Sequence, residues 1–213
     1  MGLAVVTIKS PGVHPGYTRL VGSAERHGWP LITVTSHNYG GWGSKVLDVA
    51  AWARIHKDYD LILYTDGYDT FFVREFPGEQ FFYDRFPAGV YSAEKNCWPD
   101  PSIADRYPPA VSEWKYLNAG QWLLTRGDFL HMADYNPIRP SDNDQPWHAK
   151  LFLSGAYGMG IDDKCELFQS VAFLAPGDFD TTGAELVNLK TGSKPYIVHG
   201  NGGTDLLPYE KYA

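Results

Sequence analysis

The sequence predicts an α/β protein, one domain over residues 1–213 built on a mostly parallel, doubly wound central sheet flanked by helices. Three observations predict it. Apolar runs recur as VVTI, LITVT and LILYT, and near-continuous runs of this kind mark strands buried on both sides. Segments with helical spacing alternate with them, the pattern of parallel strands joined by crossover helices. Polar loops, several rich in glycine, follow the strand ends, where open sheets of this class hold their ligands.

Val5 to Ile8 reads as the first strand, followed by a Gly/Pro-rich loop from Ser10 to Gly16. A helix is predicted from Tyr17 to His27, and a second strand over residues 31–35, LITVT. The loop HNYGGWGSK enters a helix over Lys45 to His56, where Val46, Val49, Ala50 and Ala53 recur at helical spacing. Leu61 to Tyr64 forms a third strand that runs straight into TDGYD, with Gly67 suited to a tight turn. In the middle third, GVYSAEKNCWPDP and KYLNAGQWLLT each read as a strand running into a loop with polar and aromatic residues at its end. Residues 134–149 begin as a turn-rich loop and enter a helix around the Asp144-Gln145 pair. Tyr196 to Val198 is a short strand that delivers His199 into a glycine-rich loop.

With 213 residues, 44% hydrophobic and 20% charged, the chain has an ordinary globular composition. No segment approaches the ~20 apolar residues of a membrane-spanning helix. The opening MGLAVVTI has no basic leader and too short an apolar run for a signal core, so the expected compartment is the cytoplasm, or a secretory lumen only where a leader has been removed. A net charge of −7 without any Lys/Arg-rich block argues against duplex nucleic acid as a partner. Cys97 and Cys165 stand far apart without a C-x-x-C, which excludes a cysteine-built zinc site and argues against a disulfide framework.

Asp66 and Asp69 sit three residues apart at the carboxyl end of an apolar strand. Two hard oxygen ligands suit Mn²⁺ or Mg²⁺, which leaves its other positions to substrate phosphates and water. The same pair also suits a capped turn. His199 precedes Gly200, Asn201 and Gly202, a backbone that can approach phosphates closely. With the two aspartates it would give an ion three protein ligands. Lys45, at a helix start, suits either an anion contact or an exposed position in the first turn. Tyr68 can stack on a nucleobase or pack beneath the turn. Asp142, Asn143, Asp144 and Gln145 suit acceptor hydroxyls or a helix cap.

The strings YTDGYDTFF, YSAEKNCWPDP, YLNAGQWLL, DNDQPWHAKLF, IDDKCELFQS and VHGNGGT stand in this order. The series resembles the glucosyltransferase domain of procollagen lysyl hydroxylases and the related collagen galactosyltransferases, from VVTIKS to the HGNG loop. The resemblance implies a glycosyltransferase-A (GT-A), Rossmann-like fold that uses a UDP-sugar and Mn²⁺. It implies that Asp66, Asp69 and His199 hold the metal, that Tyr68 stacks near uracil, and that Ser10 and Lys45 lie near UDP. Asn118 and the acidic run before Gln145 match residues that face the donor sugar or acceptor, and Trp98 matches an aromatic near the acceptor cleft.

The activity so implied is transfer of glucose or galactose to a hydroxyl acceptor, either hydroxylysine-linked galactose or another protein or glycan group. The glucosyltransferase relatives retain the anomeric configuration and the galactosyltransferases invert it. Inversion needs a base on the opposite face, and Asp144 is the first candidate. Two further readings use the same residues: a metal-dependent nucleotide-sugar hydrolase, and a catalytically silent UDP- or glycan-binding module.

Overall fold

The computed structural model describes residues 2–175 and 177–213. Strand β1 (Leu3–Lys9), helix α1 (Pro15–Arg26), β2 (Leu31–Thr35), α2 (Gly43–Ile55) and β3 (Leu61–Thr65) follow in the predicted order. After them come β4 (Thr70–Phe72), α3 (Glu79–Arg85), β5 (Val90–Glu94), β6 (Tyr116–Thr125), α4 (Arg126–Tyr135) and α5 (Asp144–Leu153). The last third holds β7 (Gly160–Ile161), β8 (Phe168–Ser170), the hairpin partners β9 (Phe179–Asp180) and β10 (Val187–Asn188), and β11 (Ile197–His199). Helix α1 starts earlier than predicted. Pro15 fits the first turn, where its missing N–H has no partner to lose, and His14 caps that end with Nδ1 accepting from the Gly16 N–H at 3.2 Å.

The main sheet has the order β2-β1-β3-β6-β5-β7. Strands β2, β1 and β3 are parallel, but β6 runs antiparallel to both β3 and β5. The sheet is therefore mixed and not purely parallel, with β6 the one reversed strand among its six. An apolar strand has the same period read from either end, so its composition reports burial and not direction. The reversal turns the start of β6 toward the carboxyl end of β3. Gln121 pairs with Thr65, and the Asp66 N–H donates to the Gly120 carbonyl at 2.8 Å. Asn118 and Gly120 thus lie in the first half of a strand, not in a loop after it.

Alternation along β1 and β3 sends Ala4, Val6, Ile62 and Tyr64 into one core and Leu3, Val5, Leu61 and Leu63 into another. Val46, Val49 and Ala53 of α2, with Phe129 of α4, close the first, and Leu20 of α1 and Phe82 of α3 close the second. Each such large side chain contributes about 1.5–3 kcal/mol on burial, so packing rather than helix propensity fixes these helices.

A smaller sheet, β4-β11-β8, stands beside the main one, with β11 antiparallel to β4 and parallel to β8. Residues Asp66 to Asp69 form the whole link from β3 to β4. Gly67 in that link has no left-handed φ. A Cβ there would lie 2.4 Å from the Ile8 carbonyl oxygen, so glycine is required for close approach to β1 and not for the turn itself. Cys97 and Cys165 are free thiols. Among the described residues, no helix is long and apolar enough to cross a membrane.

Candidate functional site

Asp66, Asp69 and His199 meet where the two sheets join. One ligand atom from each lies within 4.8 Å of the others, with His199 Nε2 at 3.3 Å from Asp69 Oδ2 and 3.9 Å from Asp66 Oδ2. The aspartates arrive on the β3–β4 link, and β11 brings the histidine opposite Thr70. Gly120 leaves the cluster its room: a Cβ there would lie 2.3 Å from His199 Cε1 and 2.7 Å from Asp66 Oδ2. Two carboxylates and an imidazole beside a wall without a side chain fit a divalent cation. Burial opposes charge on Asp69, but the charge and hydrogen bond of His199 outweigh it and hold the carboxyl below its usual range. Burial likewise opposes charge on His199, and Asp69 outweighs it and raises the imidazole.

Lys45 completes the cluster. Its Nζ stands 3.0 Å from Asp66 Oδ1 and 2.8 Å from Asp144 Oδ2. Burial alone would lower this lysine, yet the two carboxylates raise it, so it stays charged. Asp144 is raised, because burial outweighs the pull of Lys45. Tyr64 donates to Asp66 Oδ1 at 2.8 Å. Asp144 is the first residue of α5, whose cap is Asn143: its Oδ1 accepts from the Gln145 N–H at 3.0 Å.

Two cavities meet at this cluster. One, of about 470 Å³, is lined by Ser10, His14, Tyr39 and Tyr68. The other, of about 390 Å³, is lined by Glu94, Trp98, Asn118, Gln145, Phe173 and Asn201. Trp42, Lys45, Asp66 and Asp69 line both. In the first, the His14 ring stacks on Tyr68 at 4.0 Å and the Tyr68 hydroxyl accepts from the Ser10 N–H at 2.7 Å. One face of Tyr68 is thereby covered and its orientation held. Burial pushes the Tyr39 hydroxyl up to about 12 despite the nearby charge of Lys45.

The second cavity is organised by Glu94, which the sequence reading does not single out. Its Oε1 accepts from Asn118 Nδ2 at 3.1 Å and Gln145 Nε2 at 2.8 Å, and its Oε2 from Asn201 Nδ2 at 3.0 Å. Burial pushes this carboxyl up to about 7 against those three amides and the charge of His199. The same amides also brace β6, since Asn118 Oδ1 accepts from the Gly120 N–H at 2.9 Å and Gln145 Oε1 from the Ala119 N–H at 2.6 Å. The one signal for Glu94 in the sequence is a carboxylate ending the strand VYSAE.

The remaining expected site residues divide. Trp98 lines the second cavity, is 47% exposed, and meets Trp42 edge-on at 5.8 Å. Gly202 lines it too. Gly200 lines neither cavity and instead donates its N–H to the Asp69 carbonyl at 2.7 Å. Asp142 also lines neither; its carboxylate accepts from the Arg139 N–H at 2.8 Å and closes the turn before α5.

Comparison with known proteins agrees with this geometry. The family described as the PLOD GT domain matches residues 2–208. The chain is 32% identical over 166 residues to the uncharacterized protein R699 of Acanthamoeba polyphaga mimivirus, covering 76% of this chain and 36% of that one. It is 27% identical over 223 residues to the procollagen-lysine,2-oxoglutarate 5-dioxygenase of Drosophila melanogaster, covering 92% of this chain and 30% of that one. The human multifunctional procollagen lysine hydroxylase and glycosyltransferase LH3 is 24% identical over 96% of this chain and 30% of its own length. The chain thus spans about a third of the length of the curated relatives it matches. A crystal structure of a glycosyltransferase involved in the glycosylation of the major capsid of PBCV-1 superposes with a TM-score of 0.59 at 12% identity, over 99% of this chain and 98% of that one. The fold is GT-A-like with a mixed sheet.

Proposed function

The chain belongs to the PLOD GT domain family, and from that premise we propose a Mn²⁺-dependent glycosyltransferase that moves glucose or galactose from a UDP-sugar to a hydroxyl of a protein or glycan. The observation that carries the reading is the junction of two unlike cavities at Lys45, Asp66 and Asp69. The cavity with Tyr68 and Tyr39 suits a nucleoside, the one with Glu94 and its amides suits a sugar and its acceptor, and the shared wall suits the diphosphate between them.

Asp66, Asp69 and His199 would hold the ion, which when bound neutralises charge on the departing UDP as a Lewis acid. Lys45 adds a fixed positive charge in the same wall. Asn118, Gln145 and Asn201 hold Glu94 in one place, and fixed groups of this kind keep donor and acceptor in register. For an inverting reaction, Asp144 at Oδ1 or Oδ2 is the candidate to take the acceptor proton. Glu94, whose pKa lies near neutrality, is a second group in the same cavity able to hold a proton.

The experiment is calorimetric titration with UDP, UDP-glucose and UDP-galactose, with Mn²⁺ and with chelator, on the wild type and on Asp69→Ala. Metal-dependent binding that falls by about 100-fold or more in the variant is expected. Donor binding indifferent to both chelator and Asp69→Ala would overturn the assignment. UDP release that requires an acceptor separates transfer from hydrolysis.

A further inference from the structure

Threonines flank the two aspartates of the β3–β4 link, in the string TDGYDT. Thr65 and Thr70 are wholly buried, and so is Gln121, which stands opposite Thr65 on β6. The three side chains form one series of hydrogen bonds. Gln121 Nε2 donates to Thr65 Oγ1 at 3.3 Å, Thr65 Oγ1 donates to Thr70 Oγ1 at 3.0 Å, and the Thr70 hydroxyl donates to the main-chain carbonyl of Asp66. Every donor points along the series toward the link, an order in which each bond polarises and strengthens the next.

Packing does not require these polar groups. Leu63, Leu123 and Phe72, each two residues away on the same face of its strand, belong to the second core. Valine has nearly the shape of threonine, so valines at 65 and 70 with an apolar residue at 121 would fill this layer and leave no polar atom to satisfy. The layer keeps its hydroxyls instead, and Gln121 Oε1 lies buried without a protein partner among the described residues, which costs stability. What the series does supply is a fixed link. The Asp66 N–H donates to the Gly120 carbonyl at 2.8 Å, the Asp66 carbonyl is held by Thr70, and the Asp69 carbonyl accepts from the Gly200 N–H at 2.7 Å. Both aspartates are thus tied through their main chain while their carboxylates face His199.

We propose that Thr70, Thr65 and Gln121 are positioning residues that set the affinity of the site for its divalent ion, by fixing the Asp66 main chain and with it the spacing of the Asp66 and Asp69 carboxylates. The inference rests on the metal-dependent reading of the same site. None of the three lines either cavity, so they act through the aspartates and not on donor or acceptor. A link already ordered before the ion arrives loses little freedom on binding it, and affinity rises accordingly.

The test is titration of the full chain with Mn²⁺, followed by electron paramagnetic resonance with and without UDP, beside urea unfolding of each variant. Thr70→Val keeps the shape of the side chain and removes its hydroxyl, and should weaken Mn²⁺ binding about tenfold, the low end of what the loss of an outer partner does to a metal site. Thr70→Ser restores the hydroxyl and should bind within about twofold of wild type. Thr65→Val interrupts the series one step earlier; it should lose about fivefold, and it carries the measurement if Thr70→Val does not fold. Phe82→Leu, in the same core but on α3, should lower the urea midpoint and leave Mn²⁺ affinity within about twofold. Mn²⁺ affinity within about twofold of wild type in the folded valine variants would overturn the inference and leave the metal reading intact. A loss in Phe82→Leu as large as in Thr70→Val would also overturn it, by showing that stability alone moves the affinity. A wild type that binds no Mn²⁺, with or without UDP, would overturn the metal reading and this inference with it.

Discussion

The metal cluster and the Glu94 cradle lie in one cavity and are built in opposite ways. Two of the three cluster residues come from a single short link, Asp66 and Asp69. Glu94 is held by amides that stand 24, 51 and 107 positions away along the chain. The cluster places two carboxylates side by side, an arrangement that favours a cation, whereas the cradle surrounds one carboxylate with neutral donors. A site that must concentrate charge announces itself in a local motif. A site that must satisfy one buried charge is assembled by the fold.

The sharpest way to break this comparison is Gly120→Ala, which removes no ligand and no charge. Its Cβ would press on His199 and Asp66, both constrained, the histidine by 3% exposure in β11. Metal-dependent UDP binding should fall by about 100-fold, the scale expected when ligand placement is disturbed, while circular dichroism still reports a folded chain. Retained binding would show that β6 yields and that the room it leaves is not what shapes the cluster.

Glu94→Gln probes the other half with a smaller effect. The glutamine keeps an acceptor for Asn118 and Gln145 but turns an NH₂ toward Asn201, so a drop on the order of tenfold in kcat is expected from one orphaned buried donor. A limb near pH 7 in the wild-type kcat profile should vanish in the variant. Stability carries its own sign. Folding raises this carboxyl from 4.5 to about 7, so its protonated form favours the native state; that contribution is full below about pH 4.5 and is lost as pH rises through about 7. Glu94→Gln cannot ionise, and its urea midpoint should therefore gain on the wild type between about pH 4 and pH 8. A pH-independent difference would show that the cradle does not bear a desolvated charge.

Legibility followed the same division. The first three strands and the helices between them were readable because each carries its own period, and LILYT followed by D-x-x-D pointed to the cluster without any knowledge of the fold. His199 is readable from its place at the end of an apolar strand and the head of the glycine-rich HGNG loop. The direction of β6 was not, because YLNAGQWLLT is equally apolar from either end, and with that direction went the position of Gly120 beside the metal ligands. Glu94 was missed since a lone glutamate at a strand end looks the same whether it faces water or three amides. Asp142 and Gly200 lie within two positions of residues that line the cavities but line neither themselves, a difference that spacing along the chain does not reveal. In the structure, the first closes a turn with Arg139 and the second serves the Asp69 backbone.

Asn143 stands on the border between the two kinds of region, and its effect should be the smallest. It interrupts an acidic run, yet its side chain accepts the Gln145 N–H and so starts the helix that carries Asp144 to Lys45 and Gln145 to Glu94. Asn143→Ala should cost about 1 kcal/mol, the usual worth of such a cap, seen as a lower urea midpoint with an unchanged slope. Asn143→Asp keeps an acceptor at the cap and adds a negative charge at a helix N-terminus, so it should stay within about 0.5 kcal/mol of wild type. UDP binding with Mn²⁺ should hold within about twofold in both, since no cluster ligand moves. If Asn143→Ala instead keeps its stability and loses transfer, the residue touches the acceptor directly, and the cradle extends past the helix end to the acceptor.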